Sequence, residues 1–332
     1  MLFLNTWLIL FVAAAAAIQP SDAFSPKSST KADRPDLGTL PPLVGRRTFV
    51  ATSATGSVAT LTFNLNSRPP SAWAADSSRI ADRLDFDKLY LPPPTYASEL
   101  NGVDNTYFPP FLAGTWDVTQ TLRQVKTPLG LKFAGGPNGD ESIARETMEQ
   151  SRQQVDRPVK LQLRYIPTKW GVAEDRLFNT KQRLDAFAGK SVVATVDYAN
   201  VGGSNRQSVL ALGGTENDPL QTTVTRFKGP AAQKSFVVSH GGDPVNVTSD
   251  EWAGYELQRS IFALTNQNTA PPITTDSELI WSFRKLDDKH IQGRFRIAGY
   301  LNAQNDKLYF EAGKRAVTLQ DYTLDMVKVS DK

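Results

Sequence analysis

Two short runs in this sequence hold residues of the kinds that move protons or grip anions. His240-Gly241-Gly242-Asp243 sets an imidazole and a carboxylate on one loop, the beginnings of a general-base pair. A histidine ahead of two glycines is also an ordinary turn residue, and that is the plainer reading. The second run, Trp170-Gly171-Val172-Ala173-Glu174-Asp175-Arg176, follows a strand pattern and offers two acids, an arginine and an aromatic ring. One reading puts it at the mouth of a barrel, with Arg176 binding an anionic head group. The plainer one is a charged loop capped by Trp170.

Other chemistries lack their residues. The chain has no cysteine, which removes disulfides, thiolate metal sites and a cysteine nucleophile together. Its two histidines, His240 and His290, are too few for a His-rich metal site, and a Ser-His-Asp triad would have to use one of them. Gly189-Lys190-Ser191 imitates the end of a phosphate-binding loop, but Leu184 stands where the first glycine is needed. Gly202-Gly203-Ser204-Asn205-Arg206 lacks the second glycine of a nucleophile elbow and reads as a hairpin turn. No catalytic residue, metal or cofactor is assigned. An enzymatic alternative would rest on His240 or on Glu174, Asp175 and Arg176.

The elements that must position these groups are strands. From Leu112 the apolar positions fall on Leu112, Gly114, Trp116, Val118 and Leu122, with polar residues between them, the period of a strand with one wet face. Burying a ring such as Trp116 removes roughly 150–250 Å² from water, worth on the order of 4–6 kcal/mol before entropy is subtracted. Val159, Leu161, Leu163 and Tyr165 alternate in the same way. Further strands are expected over 191–199, 206–212, 220–227, 234–239, 278–286, 289–301, 307–311 and 315–329, with 254–264 ambiguous between strand and helix. Asp287-Asp288 joins two of them as a tight hairpin, after which Ile291, Gly293, Phe295, Ile297 and Gly299 share one face. Residues 76–92 suit a short amphipathic helix ended by Pro92-Pro93-Pro94, Thr127 to Gly139 an ordered loop over one barrel end, and Glu141 to Gln154 a surface helix. The fold class expected is all-β: one antiparallel, lipocalin-like β-barrel over 108–330, closed so that no edge is exposed, with one or two peripheral helices. Trp116, Tyr165, Trp281, Phe283, Phe295 and Tyr322 would point inward, where they line a ligand pocket or simply fill the barrel, and the candidate ligand-binding residues are the first five with Arg176.

The first 74 residues read as address labels. Leu2 to Ile18 is an apolar run of signal-peptide length, so 1–23 reads as a signal peptide, with no Lys or Arg before the run. Residues 24–45 read as a transit peptide, since Phe24 heads a stretch rich in Ser, Thr, Lys and Pro that resembles the bipartite plastid presequence of algae with secondary plastids. Arg46-Arg47, a mild apolar segment and Ala72-Trp73-Ala74 then look like a twin-arginine thylakoid-transfer signal over 46–74. The expected destination is the thylakoid lumen, with residues 75–107 as a lead-in and no transmembrane anchor in the mature chain. Six of the 37 basic and three of the 34 acidic residues fall in the leader, leaving 31 of each. A balanced mature chain lacks the footprint of a nucleic-acid binder. Asn246-Val247-Thr248 is a glycosylation triplet, read as unused.

Phe108-Pro109-Pro110-Phe111-Leu112-Ala113-Gly114-Thr115-Trp116, Thr127-Pro128-Leu129-Gly130 with Gly135-Gly136-Pro137, and Glu174-Asp175-Arg176-Leu177-Phe178-Asn179 together resemble an uncharacterised family of cyanobacterial and plastid lumen proteins, over most of 108–328. The resemblance implies the location and a lipocalin-like fold, and no activity. A looser likeness to lipocalins rests on Gly114-Thr115-Trp116, with Arg315 as the candidate for their last-strand arginine, which stacks on the tryptophan. The function expected is a lumenal, non-enzymatic binder of a small apolar ligand (pigment, quinone or lipid) or of a photosynthetic complex. The alternative is a lumenal enzyme acting on such a ligand.

Overall fold

Alternation of apolar and polar residues does fold this chain into strands. The computed structural model describes residues 80–93, 106–168, 171–198, 223–245, 249–265 and 272–329, all of which belong to one structural unit. The leader signals, Trp170, the turn at 202–206, the strand expected over 206–212 and the Asn246 triplet lie outside the described residues.

Ten strands form one antiparallel sheet: β1 (Gly114–Lys126), β2 (Pro158–Thr168), β3 (Gly171–Glu174), β4 (Val193–Tyr198), β5 (Thr223–Phe227), β6 (Ala231–Gly242), β7 (Glu251–Leu264), β8 (Ile273–Lys285), β9 (His290–Tyr300) and β10 (Thr318–Lys328). Their order, β3-β2-β1-β10-β9-β8-β7-β6-β5-β4, pairs every two consecutive strands except β3 and β4 and brings the first strand against the last. The fold is therefore an all-β, up-and-down, barrel-like sheet, and nine of the ten seams of a ring are hydrogen-bonded. The remaining seam, β3 to β4, corrects the expectation of full closure. The connection between those two strands is a helix, Arg176–Phe187, which packs on β2 and on β4.

Three helices are present among the described residues. α1 (Glu141–Arg152) starts where Asp140 accepts hydrogen bonds from the Ser142 and Ile143 amides at 2.8 and 3.4 Å. The seam helix is α2 (Arg176–Phe187), and α3 (Tyr309–Ala312) is a single turn ended by Gly313 at φ 62°. The expected strand over 307–311 is replaced by α3, which leaves Phe310 87 % exposed. The ambiguous stretch 254–264 lies within strand β7. Between β8 and β9 the turn is four residues, with the Leu286 amide donating to the His290 carbonyl at 3.0 Å, rather than Asp287-Asp288 alone. The loop expected over 127–139 contains a 3₁₀ turn, Leu131–Ala134, and Phe133 packs with Leu301, Ala312 and Val317.

Burial along the central strands changes face. On β9, Ile291, Gly293 and Phe295 are buried on the concave side while Gln292 and Arg294 are exposed on the convex side. Further along, Ile297 is only partly buried, and Arg296, Ala298 and Tyr300 on the convex side become inaccessible. What covers them is the segment 80–91. It is not the amphipathic helix expected there: a 3₁₀ turn, Ile80–Leu84, leads into an extended stretch in which Tyr90 bridges Arg315. Leu84 and Leu89 pack on Leu257, Ile280, Ala298, Tyr300 and Leu319. Arg296, 2 % exposed, donates to the Arg83 and Phe86 carbonyls at 2.8 and 2.6 Å and pairs with Asp321. Glu278 accepts from Arg83 at 2.6 Å and from the Tyr300 hydroxyl at 2.7 Å.

Candidate functional site

The concave side of β8 reads Phe283, Trp281, Leu279, Ser277, Thr275, two large rings followed by smaller groups. Its β9 neighbours shrink in the same direction, while its β7 neighbours pass from glycine to polar side chains. In register, Trp281 stands beside Phe295 and Gly254, Leu279 beside Ile297 and Glu256, and Ser277 beside Gly299 and Gln258. The interior accordingly has two parts.

One part is filled. The Phe108 ring lies 5.1 Å from those of Tyr165 and Trp252 and 6.0 Å from that of Trp281, centroid to centroid. Trp281 stacks on Phe295, and Trp252 on Phe283. Trp116 is wholly buried, its Nε1 donating to the Leu112 carbonyl at 2.8 Å. The cation over its ring is Lys328 of β10, with Nζ 5.4 Å from the centroid, which corrects the expectation of Arg315. Arg315 instead donates to the Ala312 carbonyl beside the Tyr90 bridge. Of the six candidate lining residues, Trp116, Tyr165, Trp281 and Phe283 thus belong to this packed core.

The other part is open. Between α2 and the concave surface of β5 to β10 lies a cavity of about 170 Å³. Phe295 and Arg176 line it, as do Phe187 and Leu184 of α2, Leu279, Ile297 and Phe262 of the sheet, and a polar set that includes Gln120, Gln258, Ser260, Ser277 and Gln320. Phe295 therefore separates the two parts, touching the core on one side and the cavity on the other.

The charged run beside it is not an exposed loop. Glu174 ends β3 and Arg176 begins α2, and Glu174, Asp175 and Arg176 are 3 %, 2 % and 7 % exposed. Asp175 is the N-cap of α2, accepting from the Phe178 amide at 3.1 Å and from Arg164 Nε at 2.6 Å. Arg164 in turn lies 4.3 Å over the Phe178 ring. Glu174 accepts from Arg183 at 2.5 Å and Asn179 at 3.0 Å. Arg176 reaches across the interior to Glu256 of β7, at 2.5 Å. Asn179 also holds both backbone groups of Arg164, so α2 is fastened to β2, β3 and β7 by side chains. Burial would raise the Glu174 pKa, but the charges of Arg183 and Arg176 outweigh it and hold the carboxyl below its ordinary value. Burial, with the Glu174 charge beside it, pushes the Tyr165 hydroxyl up.

His240 is a residue of strand β6 opposite Glu256, not of a loop, and the Asp243 carboxylate accepts from the Ala253 amide at 3.0 Å. Glu256, Gln120 and Gln258 went unrecognised in the sequence, although each keeps step with inward apolar neighbours on its strand, as Gln120 does with Val118 and Leu122. Gln120, 3 % exposed, has its Nε2 buried with no hydrogen-bond partner among the described residues, and Arg176 leaves its Nε in the same condition. Among the described residues no three His, Asp or Glu side chains cluster as a metal site requires.

Residues 101–330 match a family described as a domain of unknown function (DUF6816), and the chain belongs to that family. No curated protein and no solved structure matches the chain. Among the described residues no helix is long and apolar enough to cross a membrane.

Proposed function

We propose that this member of the family is a binding protein that takes one small, largely apolar molecule into the cavity between α2 and the sheet. The observation that carries the reading is the cavity itself, about 170 Å³ with Phe187, Leu184, Leu279, Ile297 and Phe295 in its wall. An engineered cavity of ~150 Å³ in another protein stays dry and takes up benzene. The space here suits one ring or a short chain, so a quinone-like ring fits and a whole pigment does not. The charged groups nearby are committed to structure: Asp175 caps α2, Glu174 is held by Arg183 and Asn179, and Arg176 by Glu256. That favours binding over turnover.

The lumenal destination is part of the same proposal. It is supported by the order of the three signals, Leu2 to Ile18, Phe24 onward, and Arg46-Arg47 with Ala72-Trp73-Ala74. Two measurements test these readings. Organic extraction of the protein purified from its source, followed by mass spectrometry, should return one small molecule in near-stoichiometric amount. Ser277→Leu, which fills the cavity, should abolish it while the fold is kept. An empty extract together with no uptake of any single-ring probe would overturn the ligand. A mature N-terminus well upstream of Ala75 would overturn the address.

A further inference from the structure

We infer that the cavity selects a planar aromatic ring over a saturated ring or an alkyl chain. The inference rests on the reading of the cavity as a ligand site and names the class of ligand. Three rings stand in register across β8, β9 and β10 on the concave side, Trp281 opposite Phe295 and Phe295 opposite Tyr322. Trp281 and Phe295 are stacked, with planes 13° apart and centroids 6.0 Å apart, and Phe295 and Tyr322 are tilted by 33° at 5.6 Å. Trp281 belongs to the packed half, whereas Phe295 and Tyr322 also line the cavity. From α2 the Phe187 ring, another member of the lining, meets Tyr322 in an edge-type contact at 65° and 6.3 Å.

The row of rings that fills one half of the interior thus runs on into the wall of the other. A flat guest laid parallel to Tyr322 stands at the same 65° to Phe187. The two arrangements that aromatic pairs prefer, offset-stacked and edge-to-face, are therefore both presented to it. The Tyr322 hydroxyl already donates to Gln320 Oε1 at 2.9 Å, so what that residue has left for a guest is its ring. Phe236 and Phe262 add two further rings to the lining. Burial of apolar area rewards any guest of the right size, but ring pairs gain beyond area burial, and a methylene chain has no such gain.

Titration calorimetry of the purified protein with benzyl alcohol, cyclohexylmethanol and 1-heptanol tests this. All three carry one hydroxymethyl group, so only the hydrocarbon differs. With each affinity divided by the probe's own water-to-octanol partition, benzyl alcohol should bind roughly 2- to 12-fold more tightly than either saturated probe. Phe187→Leu, on α2 and only partly buried, should remove most of that advantage and leave the saturated probes unchanged, with thermal unfolding confirming the fold. Phe295→Leu, on the sheet, should act in the same sense. Ser277→Leu should abolish binding of all three probes. Equal corrected affinities, a saturated probe ahead, or an advantage untouched by both phenylalanine substitutions would overturn the inference and leave the cavity as a ligand site. Failure of all three probes to bind, or binding that survives Ser277→Leu, would overturn the ligand site and this inference with it.

Discussion

The two ends of the barrel interior are built on the same strands, yet burial runs in opposite senses along them. At the Trp116 end the concave side is packed and the convex side is wet. At the cavity end the concave side of β8 is only partly covered, at Thr275, Ser277 and Leu279, while Asp276, Glu278 and Ile280 on the convex side are buried. The difference teaches how a sheet can keep an internal space. Leaving a void forfeits packing on one face, and here the segment 80–91 restores burial on the opposite face at the same end, through Leu84 and Leu89.

The comparison can be broken most severely at the packed end. Trp116→Ala should cost about 3–5 kcal/mol in urea unfolding, and a loss within the noise of the measurement would mean that the ring is not an anchor. Leu84→Ala tests the compensating face. It should cost about 2–5 kcal/mol, although Leu84 belongs to the cluster on the convex side and not to the interior one; no loss would sever the cavity from the segment 80–91.

Adding atoms should have opposite effects at the two ends. A Cβ on Gly293 would sit 3.1 Å from Phe283 Cδ1 and 3.3 Å from Leu324 Cβ, so Gly293→Ala should destabilise by roughly 1–3 kcal/mol. Ser277→Val, in the open part, should stabilise by on the order of 1 kcal/mol and weaken probe binding. The same sign at both positions would end the distinction between a filled and an open half.

The smallest effect lies in two buried carboxyls, one on each face. Burial outweighs Arg83 and Tyr300 and leaves the Glu278 pKa raised above its ordinary 4.5. The folded state therefore holds that proton more tightly than the unfolded chain. Its contribution is fully present below 4.5 and is lost as pH rises through the folded value. Glu174 is the reverse: its pKa is lowered, so its contribution is present above 4.5 and lost as pH falls through the folded value. Unfolding free energies across pH for Glu278→Gln and Glu174→Gln should diverge from the parent in opposite directions on acidification. Parallel curves would remove the electrostatic half of the comparison.

Most strands were legible because their alternation follows from one buried face, as in β1, β2 and β9. β7 was not, because Trp252, Ala253, Gly254, Glu256 and Leu257 are buried on both sides and the alternation disappears. α2 was missed for a related reason. Its inward groups include Arg176, Asn179 and Arg183, so a reading by hydrophobicity sees a polar stretch where the chain has turned its charges inward. The one clear mark was Asp175, an N-cap residue just ahead of Leu177 and Phe178. At the site, Arg176 and Phe295 were within reach of the sequence. Gln120 and Glu256 were not, since a glutamine or glutamate in a strand normally marks its solvated side. The aromatics were rightly turned inward, but their number fills one half of the interior instead of lining the other.

The seam between β3 and β4 has a consequence for traffic. A cylinder stitched all the way round admits a guest only at its rims or by tearing a ladder of backbone bonds. Here one stave of the wall is α2, fastened to its flanks by side chains, Asn179 on the backbone of Arg164 and Asp185 on the Val192 and Val193 amides. Such clasps can release and re-form without unzipping any strand, so a guest taken up as proposed would meet the lower barrier at α2.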